Sequence, residues 1–241
     1  MNRRIAALTL GALALMASPV RAQDEIDLRP VRGRAGGGFT IAAPTGEFAD
    51  YVGTGWGLNG HFTLGLAGEG ALGLRFGAGF INYGNETKTV CLSQTVGCRI
   101  TVDLTTSNNI AYANLGPELA VPAGPVQPYV NLSLGFSYFA TMSSVKGTAN
   151  VGGDDFANTT NFEDFTFAWQ AGTGLRIGLP VRSTPVAIDL GLRYHTNGEA
   201  EYLREGGIED DPVTGAITLH PIRSEANLVT INIGVTVGIR W

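Results

Sequence analysis

The chain has 241 residues and a formal net charge of −5, and only 15% of its residues are charged. The acidic balance and the lack of a basic patch exclude nucleic acid as a partner, because phosphate binding requires clustered lysine and arginine side chains. The 34 glycines favour crowded β structure, and the length suits a single β domain.

The start of the chain has the pattern of an export signal. Two arginines are followed by an apolar run at residues 5–17, and small residues at Val20 and Ala22 fit the −3 and −1 positions of a cleavage site. We predict that residues 1–22 are a signal peptide. Removal of its three arginines would change the net charge from −5 to −8. No later stretch has the 18 continuous apolar residues expected of a transmembrane helix.

The first predicted strand, at residues 35–43, leads into a turn cluster at residues 44–48. This stretch reads F-T-I-A-A-P-T-G-E-F-A-D and is followed by G-T-G-W-G-L. It resembles the opening hairpin of the small eight-stranded outer-membrane barrels of the OmpA/OmpX type and of the opacity-type surface proteins. In that family a glycine-rich first strand passes through a P-x-G-x-F loop into a G-x-G second strand. The resemblance implies a barrel located in the cell outer membrane.

Six further segments alternate between apolar residues and small or polar residues. Trp56 and Leu58, for example, alternate with Gly57 and Asn59. Side chains of a strand point alternately to its two faces, so each segment is predicted to be a strand with one apolar and one polar face. These strands are predicted at residues 55–66, 71–83, 109–121, 127–142, 164–179 and 186–197.

The last predicted strand, residues 227–241, has the strictest alternation. One face is apolar and β-branched, and the other is small and polar and ends at Arg240. The strand resembles the closing strand of bacterial outer-membrane barrels, whose C-terminal aromatic residue is part of the signal read by the barrel-insertion machinery. Trp241 occupies that position, where the family usually has Phe. The resemblance implies that Trp241 is an insertion signal and that the insertion machinery is a partner during biogenesis.

The eight segments together predict an all-β fold, an eight-stranded antiparallel up-and-down transmembrane β-barrel. An even strand count returns both termini to the periplasmic side, and short turns alternate with long outer loops as expected for such barrels. Only a closed barrel satisfies all backbone polar groups in lipid. The predicted parts are a signal peptide at 1–22, a periplasmic lead-in at 23–34 and the barrel at 35–241. The long outer loops are predicted at residues 84–107, 143–161 and 198–225.

The polar strand faces carry charged residues that decide between a membrane barrel and a soluble lipocalin-like barrel. Eight strands leave a lumen just wide enough to be filled by side chains, so the large apolar set is predicted to face lipid. Buried charges must be paired, and we predict a salt-bridged polar network that seals the lumen. A small-solute pore is the alternative. The predicted network is Arg75, Glu118, Arg176, Asp189, Arg193 and Arg240.

Two cysteines, Cys91 and Cys98, lie in the loop predicted after the third strand. In an exported protein two cysteines most often form a disulfide bond, and we predict that bond here. A zinc site would need additional histidine or cysteine ligands nearby, and the sequence has none evident there.

The segment R-Y-H-T-N-G at the end of the seventh strand resembles the H-x-S-N motif of barrel enzymes that deacylate lipid A. In that family the histidine is the general base and the serine two positions later is the nucleophile. Here His195 is followed two positions later by Asn197, and Thr196 falls on the opposite strand face. We therefore predict that the protein is not an enzyme, with a lipid A deacylase as an alternative.

The last long loop is strongly acidic, and we interpret it as a solvated surface loop. Divalent-cation bridging to lipopolysaccharide is an alternative, because oxygen ligands cluster there. We predict no metal site and no cofactor. The predicted function is a structural or surface-interaction role through the outer loops, with outer-membrane lipid and lipopolysaccharide as partners and a surface ligand bound by the loops. The acidic residues are Glu199, Glu201, Glu205, Glu209, Asp210 and Asp211.

Overall fold

The computed structural model describes residues 32–91, 101–147, 157–180, 184–210 and 217–239. Most of their backbone lies in eight long strands. These are β1 (Gly33–Pro44), β2 (Gly55–Ala67), β3 (Leu72–Cys91), β4 (Thr101–Ala120), β5 (Val126–Gly147), β6 (Ala157–Leu179), β7 (Val186–Asn197) and β12 (Leu228–Ile239). Four short strands precede the last one, namely β8 (Glu199–Tyr202), β9 (Ile208–Asp210), β10 (Ile217–Leu219) and β11 (Ile222–Glu225).

The eight long strands form a closed antiparallel barrel. Each pairs with its neighbour in the chain, β7 pairs with β12, and β12 pairs with β1 to close the circle. The closing seam extends from Gly33 opposite Ile239 to Pro44 opposite Leu228. The predicted eight-stranded antiparallel barrel is therefore confirmed. The short strands form two separate hairpins, β8 with β11 and β9 with β10.

The outer wall of the barrel is an apolar surface. Large apolar side chains are exposed on every long strand, and Leu58 on β2 is 66% exposed. The alternate residues face inward and are polar and buried, as at Arg75 and Glu118. An apolar exterior around a polar interior is the arrangement of a barrel surrounded by lipid. The lipocalin-like alternative would require the reverse.

Four strands extend further than predicted. The structure continues β3 to Cys91 and begins β4 at Thr101, so most of the predicted loop 84–107 is paired strand. In the same way β5 reaches Gly147 and β6 begins at Ala157, which shortens the predicted loop 143–161. The strands of 20 to 23 residues are about twice the length needed to cross a membrane. Above the membrane neither face needs to be apolar, so the alternation that indicated a strand ends while the backbone pairing continues.

The outer end of the barrel also contains structure that was predicted to be loop. The first outer loop contains a short helix, α1 (Phe48–Tyr51), and the predicted loop 198–225 contains the two hairpins. At the periplasmic end the connections are short, and one is a 3-10 turn at Gly68–Gly70. β1 begins at Gly33, two residues before the predicted strand, and this places Arg34 inside the barrel.

Several predictions lie outside the described residues. These are the signal peptide at 1–22, the lead-in up to residue 31, the position of Cys98, and Asp211, Arg240 and Trp241. Cys91 is described only as the last residue of β3, so the predicted disulfide stays a prediction. Within the ranges that are described, no helix is both long and apolar enough to cross a membrane.

Candidate functional site

The centre of the lumen network is Glu118 on β4. The Arg75 Nη1 atom on β3 donates a hydrogen bond to Glu118 Oε2 at 2.6 Å. From the other side, Arg176 Nη2 on β6 donates to both carboxylate oxygens at 2.7 Å. All three side chains are 1% exposed. β5 lies between β4 and β6 in the barrel wall. The charge-assisted contacts of Arg176 with Glu118 therefore connect two strands that are not neighbours.

Tyr129 on β5 lies beneath the two guanidinium groups. Its ring centroid is 4.2 Å from the central carbon of Arg176 and 5.5 Å from that of Arg75. The phenol also donates a hydrogen bond to Asp189 Oδ1 at 2.7 Å. Tyr129 therefore joins the Glu118 group to a second carboxylate. It fits because the facing residue is Gly174, where an added Cβ would lie 2.5 Å from the ring.

Asp189 on β7 is the second centre of the network. Thr236 Oγ1 donates to its Oδ2 atom at 3.0 Å, and His61 Nε2 lies 3.5 Å from the same oxygen. The Nε atom of Arg176 is 3.8 Å from this oxygen, which connects the two carboxylates. The network thus ties together β2, β5, β6, β7 and β12.

Two further arginines lie in the lumen. Arg34 on β1 donates to the half-buried Gln127 side chain at 3.3 Å, near the periplasmic end. Arg193 is 6% exposed and is close enough to Tyr112 and Arg75 to interact with both electrostatically. No ion pair joins Arg193 to a carboxylate of the described chain, and its Nε atom has no hydrogen-bond partner there.

The structure brings together most of the sequence-predicted lumen residues. Arg75, Glu118, Arg176 and Asp189 form one connected network, Arg193 lies beside it, and Arg240 is outside the described residues. Sequence reasoning missed five further residues of the lumen network. They occupy inward positions of the same alternation. The signal that could have found them is strand parity, meaning that every second residue of a strand faces the lumen. They are His61, Tyr129 and Thr236, with Arg34 and Gln127 at the periplasmic end.

The outer half of the lumen is filled by an uncharged hydrogen-bond network. Asn232 Oδ1 accepts from Thr40 at 2.8 Å and from Asn59 at 2.9 Å. Thr141 donates to Asn108 at 2.6 Å. These short polar side chains are oriented by neighbours on other strands.

The residues of the deacylase-like motif are part of this interior. His195 is 1% exposed and its Nε2 atom lies 3.1 Å from Thr230 Oγ1 on the neighbouring strand. Asn197 accepts a hydrogen bond from Ser137 at 2.7 Å and donates one to the Ala226 carbonyl at 2.6 Å. The histidine partner is therefore a threonine within the lumen, and these contacts are of the kind that orient packed polar side chains.

An apolar cluster closes the outer mouth of the barrel. Helix α1 turns Phe48 into the mouth, where it is 1% exposed. Its ring packs edge-to-face on Tyr202 of β8 at 5.0 Å, on Tyr83 at 5.7 Å and on Phe139 at 6.3 Å. Leu203, which follows β8, is completely buried. We call these five residues the outer cap.

Strand parity also explains where the cap sits. Inward positions in the middle part of β3, β4 and β5, below the outer ends of these strands, carry Ile81, Ile110 and Phe139 instead of polar residues, and all three are 1% exposed. Edge-to-face aromatic pairs add about 0.5–1.5 kcal/mol each beyond the area that they bury. Burial also raises the pKa of Tyr202, and its hydroxyl shares a hydrogen bond of 2.8 Å with Ser224 Oγ. The sequence did not predict that Phe48 would reach this cluster.

Acidic residues of the last loop fasten the cap to the barrel. Glu205 accepts a hydrogen bond from the Asn85 backbone at 3.1 Å, and Glu86 accepts one from the Gly206 backbone at 3.1 Å. Glu199 pairs with Arg223 at 3.0 Å across β8 and β11. The carboxylates of Glu199, Glu205 and Glu209 therefore make local contacts. No described group of three histidine, cysteine or acidic residues could hold a metal ion.

A pocket of about 450 Å³ lies at the outer surface beside the cap. It is bounded by the first outer loop, the outer part of β3 and the residues after β8. Tyr51 and Trp56 line one side and Arg204 and Glu205 the other.

The polar lumen, the apolar wall and the long outer strands are the features of one known group of proteins. The sequence profile of the outer membrane protein beta-barrel domain matches residues 10–240. The chain belongs to this family. Its location is the cell outer membrane.

Solved structures similar to this chain include three small outer-membrane barrels. Neisserial surface protein A is 15% identical, with a TM-score of 0.40 over 86% of this chain and 97% of that one. Ail, the attachment invasion locus protein of Yersinia pestis, is 11% identical, with a TM-score of 0.41 over 86% and 97%. The outer membrane protein OprG from Pseudomonas aeruginosa is 10% identical, with a TM-score of 0.44 over 88% and 98%. A search of curated proteins gives no match.

Proposed function

We propose that the protein is a surface-interaction protein in which a sealed barrel anchors a rigid outer sheet. The observation that carries this proposal is the continuation of β3, β4, β5 and β6 far beyond the rest of the barrel. Their pairing reaches Cys91 opposite Thr101, Val102 opposite Gly147 and Val145 opposite Ala157. We call this four-stranded part, above Asn85 and Phe162, the outer sheet.

The outer sheet is held rigid by its own contacts. Thr87 and Thr105 share a hydrogen bond of 3.0 Å across β3 and β4, and Thr89 donates to Asp103 at 2.7 Å. Such cross-strand polar pairs stabilise a sheet whose two faces are solvated. A rigid sheet presents a fixed surface at little entropic cost on binding, in contrast to a flexible loop.

One edge of the outer sheet offers a place for a partner to pair. β2 pairs with β3 only as far as Trp56 opposite Asn82. From Thr87 to Val90 no described strand lies on that side of β3, and the side chains there are exposed or half-buried. An open strand edge can accept an extended peptide as an additional strand. We infer that a surface ligand binds along this edge and the adjacent sheet face.

The interior supports an anchoring role. The lumen is filled by the charged network on the periplasmic side and by the outer cap on the other. This leaves the outer surface as the part of the molecule available to a partner. The same proposal includes contact of the apolar wall with lipid and lipopolysaccharide, and recognition of the chain by the insertion machinery.

The proposal is tested by trimming the outer sheet without disturbing the barrel. Replacement of residues 86–106 and of residues 142–161 by Asn-Gly turns would leave Asn85 opposite Ser107 and Thr141 opposite Phe162. Cells that display the wild type or this variant are compared for adhesion to immobilised extracellular-matrix proteins and to purified lipopolysaccharide. The variant is expected to insert, to keep a boiling-dependent gel shift and to lose adhesion.

The matched control shortens a different outer element, replacing residues 210–217 so that Glu209 stays opposite Thr218. This control is expected to adhere like the wild type. Equal adhesion by the trimmed-sheet variant would contradict the proposal, as would wild-type cells that adhere no better than cells without the protein.

A further inference from the structure

The lumen contains more buried positive than negative charge. Among the described residues, the buried charged side chains other than histidine are four arginines and two carboxylates. An arginine stays protonated in proteins, so it cannot relieve its burial by losing a proton. Buried charge without a partner is strongly unfavourable, and native interiors therefore supply a counter-charge. The arginines are Arg34, Arg75, Arg176 and Arg193, and the carboxylates are Glu118 and Asp189.

The excess charge coincides with hydrogen-bond donors that have no acceptor. Arg75 Nη2, Arg176 Nη1 and Arg193 Nε are fully buried and have no partner among the described residues. The carboxylate oxygens that could serve them are already engaged. Both oxygens of Glu118 accept from Arg176, and one also accepts from Arg75. Buried donors of this kind are rare in native proteins.

These donors belong to one cluster. Arg75 and Arg176 both contact Glu118 and both lie over the ring of Tyr129. Arg193 lies close to this pair, because a Cβ added at Gly172 would be 2.8 Å from Arg193 Cγ and 2.6 Å from Asn131 Oδ1, and Asn131 is opposite Glu118. The like charges of the three arginines repel each other. A negative ion among them would remove this repulsion and would accept from the free donors at the same time. A water molecule could accept the hydrogen bonds but would leave the charge uncompensated.

The cluster is fully buried, and the two ends of the barrel differ in what covers it. The outer cap closes the barrel above it, with Phe48 and Tyr202 buried at 1% exposure. On the periplasmic side the neighbouring residues are Arg34 and the half-buried Gln127, which are joined by one hydrogen bond of 3.3 Å. An occupant of the cluster would therefore enter from the periplasm and must be small.

We propose that the lumen binds a small inorganic anion, such as a halide or phosphate, between Arg75, Arg176 and Arg193. The site is separate from the outer sheet and independent of the proposed surface role. The anion completes the polar network and stabilises the barrel. Folding of the barrel consequently depends on the identity of the anions in the solution.

The direct test is crystallography with bromide as the probe. Crystals of the mature full-length barrel grown in bromide are measured at the bromine absorption edge. The expected result is an anomalous peak inside the lumen in contact with the guanidinium groups of at least two of the three arginines. An anomalous map without a lumen peak would overturn the proposal.

A second measurement follows thermal unfolding of the detergent-solubilised barrel. At constant ionic strength, gluconate, a much larger organic anion, is exchanged for chloride. The wild-type midpoint is expected to rise and saturate. Arg193→Gln should weaken the apparent chloride affinity about tenfold, since a hydrogen bond to a charged group is lost. Arg204→Gln, which removes an exposed arginine outside the lumen, should leave it unchanged.

A wild-type midpoint that is the same in chloride and gluconate would overturn the proposal. So would an equal chloride dependence in the wild type and in a folded Arg193→Gln variant. If Arg193→Gln does not fold, the bromide map and the wild-type titration decide the question without it.

Discussion

At the scale of single residues, Glu118 has the greatest influence on the lumen. It accepts hydrogen bonds from Arg75 and Arg176 and lies between them. A buried charged pair contributes little beyond an apolar pair of the same shape, but removing one partner leaves the other charge uncompensated. Loss of this carboxylate would leave two buried arginines facing each other. The importance of the residue comes from that asymmetry.

Glu118→Gln is therefore expected to lower the free energy of unfolding by about 3–5 kcal/mol. The measurement is urea unfolding of the barrel in detergent or lipid. The control is Glu199→Gln, which breaks the exposed pair with Arg223 and should cost about 0–1 kcal/mol. If the two variants lose equal stability, the lumen network has no special role in holding the barrel together.

The glycine at position 174 is the second residue with a specific role. A Cβ there would lie 2.5 Å from the Tyr129 ring and 2.5 Å from the Leu190 carbonyl oxygen. Gly174→Ala is expected to displace Tyr129 from Asp189 and to cost about 1–3 kcal/mol, as for other overpacked interiors. The control is Gly178→Ala on the same strand, where the nearest atom to the added Cβ would be the Pro125 carbonyl oxygen at 3.6 Å. This substitution should change stability by less than about 0.5 kcal/mol. Unfolding curves that shift equally would refute this assignment.

Much of this residue-level arrangement could be predicted from alternation alone. Strand parity placed Arg75, Glu118 and Arg176 inside the barrel before their partners were known. The pairing itself depends on how far each strand is staggered against the next, and alternation does not encode that stagger. For this reason the contacts of Tyr129 and His61 with Asp189 could not be derived from the sequence.

At the scale of structural elements, the outer cap joins two segments far apart in the chain. Helix α1 supplies Phe48, and the segment around β8 supplies Tyr202 and Leu203. Among the described residues these segments are held over the mouth by side-chain packing, by the short β8–β11 hairpin and by loop hydrogen bonds, such as that from the Thr45 N–H to the Asn227 carbonyl at 2.9 Å. The cap is therefore expected to open at lower free energy than the barrel.

Phe48→Ala is expected to loosen the cap without unfolding the barrel. Amide hydrogen exchange should accelerate at least about tenfold at residues 45–54 and 200–207, because a buried aromatic side chain contributes several kcal/mol to its cluster. Exchange in the barrel strands should stay slow. The control is Tyr51→Ala on the same helix, where the side chain is 42% exposed. Unchanged exchange in the Phe48 variant would mean that the cap does not depend on this ring.

The extents of the elements were predicted well inside the membrane and poorly outside it. The predicted and observed bounds of β7 are the same, Val186–Asn197, because lipid imposes an apolar face along this strand. The outer parts of β3 and β4 are rich in threonine and asparagine on both faces, so their sequence resembles that of a loop. Backbone pairing and cross-strand contacts hold these parts as strands. Neither requires apolar and polar residues to alternate in the sequence.

At the scale of the whole molecule, the architecture followed from the sequence because several independent signals agreed. Eight alternating segments, short turns at one end and long polar segments at the other allow few arrangements other than a closed membrane barrel. The filling of that barrel was predicted only in part. Its charged layer follows from strand parity, whereas its apolar outer layer depends on loops whose path the sequence does not specify.

The central claim is that the barrel is sealed and acts as an anchor for its outer surface. Planar-bilayer conductance of the refolded mature protein tests this claim most directly. Because the charged network and the outer cap both obstruct the lumen, the account predicts no stable conductance on the nanosiemens scale. A stable nanosiemens pore in the folded wild-type barrel would contradict it and would identify the protein as a conduit.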